Sequence, residues 1–230
     1  MFETVTFTNF GYLSFTKNLI ASIKKNDVNI NLKTFALDDM SYEQLSKISD
    51  NVVLYKDEDF KITEFIKQNE NIFAELMYKK LEIIYTSLLK NKYVLYVDGD
   101  VVFKKNPTDY LMHSIGDLDI LFQNDKNPDK PKKEILCAGF MFMKSNEKTL
   151  KYFNPENISQ KKLYKGNHDQ TYLNKIKRKF KYDKLPQDEY PNGIHFYNNY
   201  QTLNPTIIHF NYVLGELKEQ KMKEHNEWYI

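Results

Sequence analysis

The sequence predicts an α/β fold built on a mostly parallel central sheet flanked by helices. Three observations carry this expectation. Over the first hundred residues, short runs rich in β-branched and aromatic residues alternate with longer runs of helical spacing, in the order strand, helix, strand, helix, strand, helix, strand. Tyr93 to Val97 (YVLYV) is apolar throughout, as a strand buried on both faces must be. That run breaks on Asp98-Gly99-Asp100 at its carboxyl end, the edge where ligands of parallel sheets sit.

The elements follow in order. Phe2 to Thr8 alternates polar and apolar residues and reads as a strand. Asn9 to Tyr12 is a turn. Phe15, Leu19, Ile20 and Ile23 give Ser14 to Lys25 a helical pattern. Leu32 to Leu37 is a second strand, closing on Asp38-Asp39. Ser41 with Gln44 reads as a capping box for a short helix through Leu45 and Ile48. Val52 to Tyr55 is a third strand, and the polar stretch 56–71 reads as a loop with a short helix. Leu81, Ile84, Tyr85, Leu88 and Leu89 place a long helix over Ile72 to Lys90, directly before the central strand.

Beyond Asn106-Pro107 the pattern gives a short helix and a strand at Leu118 to Phe122. A polar, proline-containing loop spans 123–134. Ile135 to Met143 (ILCAGFMFM) is a long apolar strand interrupted at Ala138-Gly139, where a glycine marks close approach of a ligand or another backbone. Asn146 is placed to cap a helix, and Asn167-His168-Asp169-Gln170 opens another. Residues 180–206 read as irregular. Thr206 to Phe210 is a short strand containing His209, and Leu214 to Tyr229 a charged helix. No repeat or linker divides the 230 residues, so a single domain is expected.

Bulk composition narrows the function classes. A formal net charge of +2 does not demand a nucleic-acid partner. One cysteine, Cys137, excludes an internal disulfide framework and a cysteine-based zinc site. No apolar run approaches membrane-spanning length, and the start lacks a basic-then-apolar leader, which predicts a cytoplasmic protein from a reducing compartment. A bacterial or large-virus setting is the expected origin.

The chemistry concentrates at residues 98–100. Two carboxylates at the end of a buried strand repel one another and lose hydration unless a cation lies between them. A hard divalent ion, Mn²⁺ or Mg²⁺, bound through oxygens offsets that cost. Gly99 lets the backbone turn so that both carboxylates address one point. The competing reading of Asp-Gly is an ordinary turn. Thr8-Asn9 and Asp38 also fall at predicted strand carboxyl ends, which favours a shared site.

The segments TFTNFGYL, FALDD, YKKLEIIYTSLLKNKYVLYVDGDVVF, CAGFMFMKS, HDQTYLN and IIHFNYVLG occur in that order along the chain. In this it resembles the nucleotide-diphospho-sugar transferases of the GT-A (Rossmann-like) fold, the retaining group that includes plant xylosyl- and arabinosyltransferases and bacterial α-galactosyltransferases. The resemblance implies that Asp98, Asp100 and His209 hold Mn²⁺ or Mg²⁺ on the donor diphosphate. It implies donor binding by Thr8, Asn9, Asp38, Lys79, Lys80, Gly99, Cys137, Ala138, Gly139, Gly215 and Lys218, with Asp100, Asp169 and Gln170 as catalytic residues. Asp169 would bond sugar hydroxyls and Gln170 would lie near the anomeric carbon. An amide is a poor nucleophile and no carboxylate suited to double displacement is evident, so attack on the face that the diphosphate leaves is expected. Cys137 stands where relatives often carry Asn, which leaves the donor sugar open.

The implied partners are a nucleotide sugar, with a UDP-sugar the first choice, and a carbohydrate or other hydroxyl acceptor. Two other readings share the residues. LYVDGDVVF also suits a haloacid-dehalogenase-like phosphatase, although about ninety residues precede it and Gly116-Asp117 lacks the second aspartate of that fold's metal loop. A non-catalytic nucleotide-sugar-binding protein is the third.

Overall fold

A computed structural model of the chain describes residues 2–55, 63–66, 71–128, 133–158 and 168–230. Most of the loop expected over 56–71, part of the loop at 123–134, and Asn167 lie outside these residues.

Nine strands and eight helices of the described residues carry the fold. They are β1 (Glu3–Thr8), α1 (Leu13–Lys25), β2 (Leu32–Ala36), α2 (Asp39–Ser46), β3 (Val52–Leu54), α3 (Asn71–Lys90), β4 (Tyr93–Val97) and β5 (Val101–Phe103). Then come α4 (Thr108–Ile115), β6 (Ile120–Asn124), β7 (Leu136–Lys144), α5 (Glu147–Phe153) and α6 (Asp169–Ile176). The chain continues through β8 (Tyr182–Lys184), α7 (Gly193–Asn199), β9 (Ile207–His209) and α8 (Gly215–Glu224).

The main sheet has the order β3-β2-β1-β4-β7-β6-β8. β1 to β4 run parallel, β7 is antiparallel to both β4 and β6, and β8 is parallel to β6. β7 is therefore the one reversed strand, and the expected mostly parallel sheet is present. Alternation along β4 shows why its sequence is apolar throughout. Val94 and Tyr96 enter one core with Leu81, Ile84 and Leu88 of α3, while Leu95 and Val97 enter the other with Leu19, Leu45 and Leu111. β5 and β9 pair antiparallel in a small second sheet, with Val101 opposite His209.

The interruption expected at Ala138-Gly139 is a bulge. On β6, Phe122 and Gln123 are adjacent, yet their β7 partners are Met141 and Cys137. Ala138, Gly139 and Phe140 thus have no counterparts on β6, while the β4 side stays paired through Val97 and Phe140.

Three local expectations need correction. Asp38, not Ser41, caps α2: its carboxylate accepts from Ser41 N at 2.7 Å and Ser41 Oγ at 3.0 Å. Residues 180–206 are not wholly irregular. They contain β8, a charged edge strand with no hydrophobic period, and α7, begun by Asn192 accepting from His195 N at 2.9 Å. The C-terminal helix stops at Glu224, where Asn226 takes a left-handed φ of 58° and turns the chain back onto α1.

Candidate active site

β1, β4, β6 and β9 all end at one edge of the fold, and β7 begins there. Their termini line a cavity of about 400 Å³. Asp98 and Asp100 flank Gly99 beyond β4, and β9 carries His209 across from them. One atom from each of the three lies within 4.8 Å of the others. His209 Nε2 is 3.2 Å from Asp100 Oδ1 and 3.9 Å from Asp98 Oδ2.

Each carboxylate gives its second oxygen to another partner. Asp98 Oδ1 accepts from Lys80 Nζ at 3.0 Å and from the Tyr96 hydroxyl at 2.6 Å. Asp100 Oδ2 takes the Lys218 ammonium. Asp98 Oδ2, Asp100 Oδ1 and the imidazole are left facing one point. Burial opposes ionisation of Asp100, but Lys218 and His209 override it and hold that carboxyl well below the usual carboxylate range. Burial likewise pushes against the charged His209, yet Asp100 draws its pKa well above the ordinary value.

Gln123 fixes the imidazole. This fully buried amide donates to the Tyr190 and Pro191 carbonyls at 3.2 and 3.0 Å, so its oxygen must face His209 Nδ1, 2.7 Å away. Nδ1 therefore carries a proton toward Gln123, which directs Nε2 at the carboxylates. Gly139 leaves room for the group. A Cβ there would meet His209 Cε1 at 2.3 Å and Asp98 Oδ2 at 2.5 Å. Two carboxylate oxygens, one imidazole nitrogen and these separations fit a hard divalent cation.

Lys80 is 1% exposed and bridges two acids, Asp98 and, at 2.7 Å, Asp169 at the start of α6. Burial disfavours its charge, but Asp169 and Asp98 raise its pKa above the lysine range. Asp169 is held low in turn, with Lys80 and the adjacent His168 outweighing its burial. Lys80 is thus enclosed by carboxylates. Its neighbour Lys79 points elsewhere, pairing with Glu82 at 2.8 Å, and does not line the cavity.

Gln170 does line it. Its Oε1 accepts from Ala138 N at 3.3 Å and its Nε2 donates to Asp125 Oδ2 at 3.0 Å. Asp125 is a cavity carboxylate beside Gln170 that the sequence reading missed. Its Oδ1 accepts from Asn192 and Asn211 at 3.0 and 3.1 Å. Asp125 follows β6 directly, so the rule that drew attention to Asp98 would have found it had β6 been read to Asn124 rather than to Phe122.

Of the remaining residues, Thr8, Asn9, Gly99, Cys137 and Lys218 line the cavity, and Asn9 Nδ2 donates to Glu64 O at 3.0 Å. Cys137 is 2% exposed, its pKa raised by burial, with Sγ 3.6 Å from His209 Nδ1. Asp38 lies outside the cavity lining; besides capping α2 it accepts from Phe10 N at 2.7 Å, holding the β1–α1 turn. Gly215 is also outside the lining and opens α8 with a φ of 54°.

Solved structures share this architecture. The solved structure of the galactosyltransferase LgtC, in complex with donor and acceptor sugar analogues, superposes with a TM-score of 0.64 at 12% identity, over 99% of this chain and 95% of that one. A glycosyltransferase involved in glycosylation of the major capsid of PBCV-1 gives 0.61 at 12% identity, over 97% and 100%. At such identities these likenesses speak for the fold alone. A UDP-galactose:fucoside alpha-3-galactosyltransferase of Dictyostelium discoideum is 23% identical over 99% of this chain, which spans 43% of that protein's length. The profile of the nucleotide-diphospho-sugar transferase family matches residues 31–224, a span that holds β4, the Asp98-Gly99-Asp100 turn, Asp169, Gln170 and His209. The chain therefore belongs to the nucleotide-diphospho-sugar transferase family.

Proposed function

We propose that this protein is a metal-dependent, retaining glycosyltransferase that moves a sugar from a nucleotide donor, a UDP-sugar, to a carbohydrate hydroxyl. The observation that carries the reading is the convergence of Asp98 Oδ2, Asp100 Oδ1 and His209 Nε2 in the cavity that also holds Asp169 and Gln170. Asp98, Asp100 and His209 would hold Mn²⁺ or Mg²⁺, and the mixed oxygen and nitrogen donors favour Mn²⁺. Such an ion supplies Lewis-acid stabilisation for the charge that develops on the departing diphosphate.

The protein's own groups have distinct tasks in this scheme. Thr8 and Asn9, at the β1 end of the cavity, take the nucleoside. Lys218 releases Asp100 and turns its ammonium to the diphosphate oxygens. Lys80 sets the two acids it bridges, leaving Asp169 positioned for a sugar hydroxyl. Gln170 lies beside the anomeric centre with its amide held on both sides, by Ala138 N and by Asp125. The Asp125 carboxylate accepts from the side-chain amides of Gln170, Asn192 and Asn211, so its present arrangement suits positioning of Gln170 more than attack on carbon. Front-face displacement, with the diphosphate receiving the acceptor's proton, remains the reading that these contacts favour.

Calorimetric titration of UDP with and without Mn²⁺ tests the proposal. Wild type should bind UDP in a metal-dependent manner, and Asp100→Ala should weaken that binding at least ~100-fold with the circular dichroism spectrum unchanged. Metal-dependent binding that survives in the variant would overturn the ligand assignment. Metal-dependent phosphate-ester hydrolysis without affinity for any nucleotide sugar would favour the phosphatase reading instead. Tight UDP binding with neither transfer nor hydrolysis of any sugar donor would favour a binding protein.

A further inference from the structure

Tyr212 combines two unfavourable features at the cavity mouth. Its φ is 68°, in the left-handed region that a bulky side chain seldom adopts, and the residue remains 42% exposed. Neither feature serves the hydrophobic core. The conformation is nevertheless firmly held. The Tyr212 hydroxyl donates to Asp125 O at 3.2 Å, and the preceding Asn211 side chain bonds both Asp125 Oδ1 at 3.1 Å and Gly193 N at 2.7 Å. A strained residue fixed by its neighbours and lining a cavity is a reason to look for a ligand.

Position along the sheet indicates which ligand. The cavity runs from the end of β1 past β4 to the end of β6, following the strand order β1-β4-β7-β6. The proposed nucleoside site lies at β1 and the cation site at β4. Tyr212 is tied to Asp125 at the β6 end, on the far side of the cation site from the nucleoside. There Tyr212 shares the cavity lining with the polar residues Asp125 and Asn127, and Leu214, 48% exposed, adds an apolar side chain to it. A pyranose has matching chemistry. Its C–H face is apolar and carries slight positive charge, which suits the negative face of an aromatic ring, and its hydroxyls project at the edge toward polar groups.

We propose that Tyr212 is the platform of the acceptor subsite and that the acceptor is a pyranoside seated with its C–H face on this ring. The assignment rests on the transferase reading above and specifies its acceptor class.

Saturation-transfer NMR on the full chain loaded with Mn²⁺ and UDP tests it. The probes are the methyl pyranosides of galactose, glucose, mannose, fucose and xylose. At least one should bind wild type through its C–H face. Tyr212→Ala should raise that pyranoside's dissociation constant about tenfold, whereas Tyr212→Phe, which keeps the ring and loses the hydroxyl, should stay within about twofold. UDP affinity in the presence of Mn²⁺ should be unchanged in both variants.

Absence of binding by all five pyranosides, or equal binding by wild type and Tyr212→Ala, would overturn the proposal. Equal losses in the Ala and Phe variants would also overturn it, since the hydroxyl clamp rather than the ring would then be responsible. A parallel loss of UDP affinity would reduce Tyr212 to a structural prop. If wild type takes up no UDP with Mn²⁺, the transferase reading fails first. If it takes up UDP and only the pyranoside results fail, the acceptor assignment alone falls.

Discussion

Gln123 shows how much of the candidate site depends on a residue that touches no ligand. Its amide is satisfied by two carbonyls on one side and by the imidazole on the other, which leaves His209 a single tautomer. Gln123→Leu should therefore lower Mn²⁺ affinity in the presence of UDP by about tenfold or more, read as free Mn²⁺ by electron paramagnetic resonance. Affinity equal to that of wild type would remove Gln123 from this role. The legible part of the site follows the same physical divide. Asp98 and Asp100 stood out in the sequence because paired carboxylates at the end of an apolar strand are expensive without a cation, whereas His209 was reached only through the family resemblance. Gln123 and Asp125 were obscured because their strand was read two residues too short, which assigned both to a polar loop. Lys80 and Lys79 were indistinguishable as adjacent lysines on one helix. Only packing separates them, enclosing Lys80 between two acids and sending Lys79 to Glu82.

Among the elements, those with a clear hydrophobic period were readable and those fixed by polar contacts were not. β4 and α3 fall where their apolar spacing places them, within a residue. β8 has no such period and is held from outside: Glu134 accepts from Tyr182 at 2.9 Å and pairs with Lys184 at 2.9 Å and Lys177 at 2.8 Å. The two lysines draw the Glu134 carboxyl down from 4.5 to about 2. A lowered folded-state value means that the unfolded chain binds more protons between these limits. The contribution is thus present above about pH 4.5 and disappears as pH falls toward about 2. Glu134→Gln should cost less than about 1 kcal/mol at pH 7, because the carboxyl is partly exposed and screened. Its denaturation midpoint should also fall less steeply than wild type's below pH 4.5. Parallel curves for the two proteins across that range would contradict the assignment.

On the scale of the molecule, the C-terminal segment closes the fold onto its first helix. Asn18, fully buried in α1, donates to Glu227 O at 2.9 Å and accepts from Tyr229 N at 2.6 Å, while Lys104 pairs with Glu227 at 2.8 Å. Asn18→Ala would leave two backbone groups unpaired and should cost about 2 kcal/mol, measurable as a lower urea midpoint with an unchanged slope. Phe15 and Thr16 of the same helix line the cavity, so UDP affinity should fall as well. A midpoint equal to wild type's would show that the tail is not a brace. This closure was beyond the reach of the sequence. Helical charge patterning suggested that α8 continued to Tyr229, and nothing local marked Asn226 as the reversal.

The bulge in β7 has a consequence for how this sheet can change over evolutionary time. Leu136 and Ala138 share a core with Met141 and Met143, whereas Phe140 and Phe142 belong to the opposite core. The strand thus changes phase partway along its length. Deleting Gly139 would shorten the bulge from three unmatched residues to two and let a single alternation run from Leu136 to Met143, each side chain keeping its present core. It would also remove the position whose lack of a side chain leaves room for His209 and Asp98. The irregularity is therefore a form of local frustration, in which regular pairing with β6 is given up while Gly139 stays against the His209 and Asp98 side chains.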